Sequence, residues 1–172
     1  MATEGFLLDT SVVSAAWDAG HPAHSVVRER LRSVPDELIF VSVITLAEVE
    51  YGLQVAPMLD VGRQEAVRTA MSSFIPSQIL SIDRHSYKDW ARIRAALFRQ
   101  FSPTDRRGRL RRKRVEDLIE PTSGRELGIQ ENDLWIVTNA VQYDLRFVTR
   151  DRLGGMTRIV EAANYRDRTE FW

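Results

Sequence analysis

The sequence contains no cysteine. That excludes a disulfide framework, a thiolate zinc site and a thiol nucleophile together, and it suits a reducing compartment. No apolar run approaches the ~20 residues that a membrane-spanning helix needs. The N-terminus also lacks the basic, then apolar, then small-residue pattern of a secretory signal. The expectation is a soluble cytoplasmic protein with no membrane partner. Neither sign of charge is in excess, with 24 basic against 24 acidic residues, so the total says nothing about a partner. The distribution of charge does.

What is present favours a folded chain. At 172 residues, 44% of them hydrophobic, there is enough apolar material for one domain, spanning residues 1–172, with a real core. The chain is organised around Gly5-Phe6-Leu7-Leu8-Asp9-Thr10-Ser11-Val12-Val13. A short apolar run bounded by Gly5 reads as a buried strand. It climbs directly into a carboxylate and two hydroxyls. In open α/β sheets, ligands lie outside the carboxyl ends of the strands, which makes Asp9 a site candidate. An N-cap role for Asp9 on the following helix stands beside that reading.

Further strands are expected at 37–41, 79–83 and 146–149, with a last one through 158–160. Helices are expected at 11–18, from Pro22 to Pro35 with Val26, Val27, Leu31 and Val34 on one face, and from a Ser42 cap to Gln54 with Ile44, Ala47, Tyr51 and Val55 aligned. Others are expected at 60–74, 86–101 and 131–143. Trp17, Trp90 and Trp135 fall on helical faces and read as core. Tyr51 fits either core or site. Phe171 and Trp172 read as a frayed end. Strands alternating with helices predict an α/β sandwich with a mostly parallel central sheet flanked by helices.

Four acids sit where burial is expected: Asp9 and Asp151 just past strands, Glu48 beside the apolar face of its helix, and Asp133 in the first turn of an apolar helix. Each has an ordinary role available, as cap, solvent-facing residue or turn residue. Together they call for a cation, because a cluster of carboxylates repels itself and burial of each is costly. Hard oxygen donors without cysteine select Mg²⁺ or Mn²⁺ over zinc. Such an ion serves phosphoryl chemistry, neutralising the phosphate and activating a water. Thr10, Ser11 and Thr149 stand beside these acids, as supports or as helix caps. His21, His24 and His85 leave open a ribonuclease using a His acid–base pair, though nothing brings a pair to the strand ends.

The segments Leu7-Leu8-Asp9-Thr10-Ser11, Leu46-Ala47-Glu48-Val49, Glu131-Asn132-Asp133-Leu134-Trp135-Ile136 and Phe147-Val148-Thr149-Arg150-Asp151 resemble, in order, the four acidic motifs of PIN-domain nucleases. Within that family the resemblance is closest to VapC-type toxins of toxin–antitoxin pairs, and it runs from residue 6 to about 155. It implies a PIN-like α/β/α sandwich and a Mg²⁺- or Mn²⁺-dependent ribonuclease with Asp9, Glu48, Asp133 and Asp151 as metal ligands and catalytic residues. It also implies supporting positions for Thr149 and Glu131, an antitoxin partner that covers the acidic site, and a homodimer.

One stretch departs from that pattern. Residues 103–130 hold a basic and then acidic insertion, in which Arg106, Arg107, Arg109, Arg111, Arg112, Lys113 and Arg114 precede Glu116, Asp117, Glu120 and Glu126. It reads as a solvated segment, as a contact to an RNA backbone, or as a charged helical hairpin pairing its own charges. Two other functions compete with the nuclease. One is a small-molecule phosphohydrolase, weakened by Thr10-Ser11 where a second acid would stand. The other is a non-catalytic module that binds RNA or a protein partner on the same fold.

Overall fold

The structure is a computed structural model, described over residues 4–55, 61–152 and 154–172. The chain divides into two compact units. The first comprises residues 1–81, 145–150 and 170–172, and the second residues 82–144 and 151–169.

The first unit carries a five-stranded parallel sheet. Its strands are β1 (Phe6–Leu8), β2 (Ile39–Ser42), β3 (Ile79–Leu80), β4 (Arg146–Thr149) and β5 (Thr169–Phe171), in the order β3-β2-β1-β4-β5. Central β1 pairs Leu7 with Phe40 on one side and with Phe147 on the other. Central in a parallel sheet, β1 has its side chains buried, and Leu7 and Leu8 are apolar accordingly. Gly5 precedes it because a Cβ there would stand 2.7 Å from the Phe40 ring and 2.8 Å from Leu145. The same unit contains helices α1 (Thr10–Trp17), α2 (His24–Arg32), α3 (Val43–Val55) and α4 (Val61–Ser72). Leu8, Val12, Val13, Ala16, Val27, Val41 and Val148 make its core, with Trp17, Leu46, Val49, Phe74 and Trp172 packed against it.

The second unit contains helices α5 (Ser86–Phe101), α6 (Glu131–Gln142) and α7 (Gly155–Ala163). Ile93 and Leu97 of α5, Leu134, Ile136 and Val137 of α6, and Ile159 and Val160 of α7 are buried. Gly155 lets α7 come close to the loop before α6: a Cβ there would lie 2.5 Å from the Gly128 carbonyl oxygen and 2.7 Å from the Ile129 Cα.

Several elements depart from expectation, each for a physical reason. Residues 158–160 belong to helix α7, not to a strand. Met156, Ile159, Val160 and Ala163 recur at helical spacing, and that period overrides the β-preference of Ile-Val. The last strand is β5, and Trp172 is packed on the core with its N–H donating to the Thr149 carbonyl at 3.0 Å, so the chain end is docked. Ser42 caps α3, accepting the Ile44 N–H at 3.2 Å. Yet Ala47, Tyr51 and Val55 are exposed, while Leu46 and Val49 face the core. An apolar pattern on both sides of α3 left the buried face undecided. Val26 is 52% exposed, because it stands one residue, about 100° of helix, away from Val27.

The insertion is not a helical hairpin. It folds as irregular chain with two antiparallel bridges, Thr104–Leu110 and Ile119–Glu126, and one 3₁₀ turn at Val115–Asp117. Val115, Leu118, Leu127 and Ile129 anchor it by burial. Among the described residues no helix is long and apolar enough to cross a membrane.

Candidate active site

Asp9 emerges at the carboxyl end of β1, where its backbone N–H donates to the Val148 carbonyl of β4 at 2.9 Å. It occupies the N-cap position of α1, but its side chain makes no capping hydrogen bond. The carboxylate instead accepts two hydroxyls on one oxygen, Oδ2: Ser11 Oγ at 2.6 Å and Thr149 Oγ1 at 2.9 Å. Ser11 Oγ in turn accepts the Arg150 N–H at 3.1 Å. Asp9 is only 3% exposed, and burial pushes its carboxyl above the usual range, against the opposing pull of these hydroxyls and of nearby backbone N–H groups. The groups that bear on it most are neutral donors. A buried carboxylate held this way is oriented and only partly compensated, since hydrogen bonds from neutral groups do not outweigh its burial.

Thr10 turns the other way and donates its hydroxyl to Glu48 Oε2, tying the start of α1 to the second turn of α3. The three hydroxyls named from the sequence therefore serve the acids. Parallel register brings Thr149 to Asp9: β1 and β4 pair Leu8 with Val148, so the residues that follow, Asp9 and Thr149, emerge at the same end.

Asp133 and Asp151 belong to the second unit. Asp133 lies in the first turn of α6, partly buried, where negative charge suits the helix N-terminus. Asp151 is exposed, two residues beyond the end of β4. Glu131, at the start of α6, has both oxygens engaged: Trp90 Nε1 donates to Oε1 at 3.0 Å, and Arg94 pairs with Oε2. The Arg94 guanidinium lies over Trp90, 5.0 Å from the ring centroid, and Trp90 stacks on Trp135 at 5.0 Å. The sequence reading missed Arg94. Its signal was a cation on α5 one helical turn after Trp90 and next to buried Ile93.

The histidines do not form a catalytic pair. His21 Nδ1 accepts the Ala23 N–H at 3.1 Å, whereas His24 Nδ1 faces the Ala15 carbonyl at 3.0 Å. His85 neighbours Arg84 at 3.1 Å. Among the described residues, no three acidic or histidine side chains converge as a ready-made cation cage.

A donor set of carboxylates and hydroxyls fits a hard, oxygen-ligated divalent cation, and buried Asp9 with neutral donors is the observation that calls for positive charge. The comparisons with known proteins agree on the fold. The family model described as PIN domain matches residues 6–153. No curated protein sequence matches the chain. Among solved structures, FitAcB from Neisseria gonorrhoeae is 23% identical with a TM-score of 0.61, over 92% of this chain and 93% of that one. VapBC-5 from Mycobacterium tuberculosis, a member of the VapBC family of toxin–antitoxin systems, is 22% identical with a TM-score of 0.56, over 98% of each chain. VapBC-1 from nontypeable Haemophilus influenzae is 17% identical with a TM-score of 0.60, over 97% of each. With a family model spanning most of its length and its fold shared with these structures, the chain belongs to the PIN-domain family.

Proposed function

We propose that this chain is a Mg²⁺- or Mn²⁺-dependent endoribonuclease and the toxin of a toxin–antitoxin pair. The observation that carries the reading is Asp9: a carboxylate buried at the end of the central strand, aimed by Ser11 and Thr149 and given no charged compensation by them. Asp9, Glu48, Asp133 and Asp151 would hold the ion. When bound, it supplies positive charge to the scissile phosphate and a more acidic water as nucleophile.

The chain's own residues do the positioning. Ser11 and Thr149 fix the plane of the Asp9 carboxylate by converging on one oxygen. Thr10 fixes one Glu48 oxygen. Hydrolysis by water does not use the ribose 2′-hydroxyl, so the products carry a 5′-phosphate and a 3′-hydroxyl. A small antitoxin is the partner this reading assigns, by likeness to the toxin–antitoxin system of which VapBC-5 is a member. Tyr51 and Val55, exposed one helical turn apart on α3, are the apolar pair that supports a homodimer.

Cleavage of a mixed pool of transfer RNA and structured RNA, with Mg²⁺, Mn²⁺ or EDTA and beside Asp133→Asn, tests the proposal. The expected result is cutting that needs the ion and falls on the order of 10²–10³-fold in the variant. Products ending in a 2′,3′-cyclic phosphate would sink the mechanism. RNA bound equally well in EDTA and left uncut would favour the binding module instead.

A further inference from the structure

The basic part of the insertion is a built loop. Asp105 locks it, accepting the Arg107 and Arg109 N–H groups at 2.8 and 3.0 Å through Oδ1, while its carbonyl accepts the Gly108 N–H at 2.9 Å. Gly108 takes the turn at φ 73°, a conformation that side chains rarely adopt. Behind the turn, the Arg111 N–H donates to the Pro103 carbonyl at 2.9 Å and the Arg112 N–H to Ser102 Oγ at 3.1 Å.

This fixed backbone displays seven cations, and the loop matches only two. Arg109 pairs with Asp105, and Arg114 with Glu116. The side chains of Arg106, Arg107, Arg111, Arg112 and Lys113 are exposed, and among the described residues none has an ion-pair or hydrogen-bond partner. The acids further along do not neutralise them, since Glu120 pairs with Arg158. Holding five like charges together on an ordered loop costs energy unless an external anion returns it.

The loop is also tethered. Arg94 donates to the Lys113 carbonyl at 3.0 Å through one guanidinium nitrogen and pairs with Glu131 through the other. One side chain thus holds both the end of the basic loop and the first turn of α6, which carries Asp133. Residues 103–114 contain no aromatic side chain, so the loop offers no platform on which bases could stack. Arginine forks without stacking partners suit phosphate, and phosphate contacts position a polymer without reading its sequence.

We infer that residues 106–113 form an arm that grips the phosphate backbone of single-stranded RNA and feeds it towards the α6 end of the second unit. The identity of the polymer rests on the nuclease reading; the phosphate chemistry rests on the loop.

The test uses the full chain. Binding of a short unstructured RNA is measured against salt in the Asp9→Asn protein, with and without Arg106→Gln, Arg107→Gln, Arg111→Gln, Arg112→Gln and Lys113→Gln together. The five changes should weaken binding about ten-fold or more and flatten the slope of log K against log salt by up to about 3.5, at ~0.7 per phosphate contact. Changing the four arginines to lysine should keep the slope, and Arg99→Gln, an exposed charge on α5, should alter nothing. With Asp9 intact, the five-fold variant should cleave a dinucleotide, too short to reach the arm, at the parent rate while its KM for long RNA rises. An unchanged slope and KM would overturn the arm. So would loss of binding to duplex DNA or to an acidic peptide with RNA binding intact. Salt-sensitive RNA binding through the arm, with neither substrate cut, would keep the arm and defeat the nuclease reading.

Discussion

At the scale of single residues, Asp9 carries opposing demands. Burial favours its neutral form and raises its carboxyl above the ordinary range. The sign of the linkage follows. The folded state holds the proton more tightly than the unfolded chain, so Asp9 favours folding fully only below its unfolded value, about 3.9. That contribution is lost as pH rises through the raised folded value. Near neutral pH in EDTA, Asp9→Asn should therefore raise the melting temperature, by about 2–4 °C for each kcal/mol of charge burial relieved. The gain should vanish towards acid pH, and thermal melts across that range check it. A variant that melts lower than the parent at neutral pH would mean that the Ser11 and Thr149 hydrogen bonds outweigh burial.

At the scale of elements, close approach is bought with glycine at two places. Gly5 admits the Phe40 ring beside β1, where the obstructing atoms are side-chain ends that can move. Gly155 is different, because its obstruction is the backbone of Gly128 and Ile129. Gly155→Ala should destabilise the protein by about 1–3 kcal/mol, as overpacking does, and denaturant unfolding would read it. The same substitution at Gly52, where a Cβ meets nothing within 4 Å, should be stabilising by several tenths of a kcal/mol, roughly the helix preference of alanine. The Trp90–Arg94–Glu131 cluster works at this scale too. It joins α5 to α6 by an ion pair and a hydrogen bond, beside the stack of Trp90 on Trp135, and it extends to the insertion through the Lys113 carbonyl.

For the whole molecule, charges of both signs cancel, so any affinity for RNA must come from uneven distribution. The described surface also exposes apolar side chains in one part of the sequence: Tyr51 is 68% exposed, Val55 60% and Val61 67%. If that face joins two copies, Tyr51→Glu with Val55→Glu should give a particle of half the mass by light scattering, with an unfolding transition that no longer depends on concentration. A dimer unaffected by both changes would place its interface elsewhere.

Much of this was legible in the sequence because local rules decide it. The apolar run into Asp9, the alternation of strands and helices and helix α5 follow from residue type and spacing, whereas the four acidic segments stood out by their resemblance to PIN-domain nucleases. Where two local rules competed, tertiary packing chose. It made residues 158–160 helical, turned Leu46 rather than Tyr51 inward, and docked Trp172 against the core. The partners of the acids were out of reach for a stronger reason. Thr149 reaches Asp9 and Thr10 reaches Glu48 across 140 and 38 residues of chain, and strand register, not sequence proximity, brings the first pair together. In the same way, the basic run is plain in the sequence. That five of its seven cations have no partners among the described residues, while Arg94 ties the run to α6, emerged only once the chain was folded.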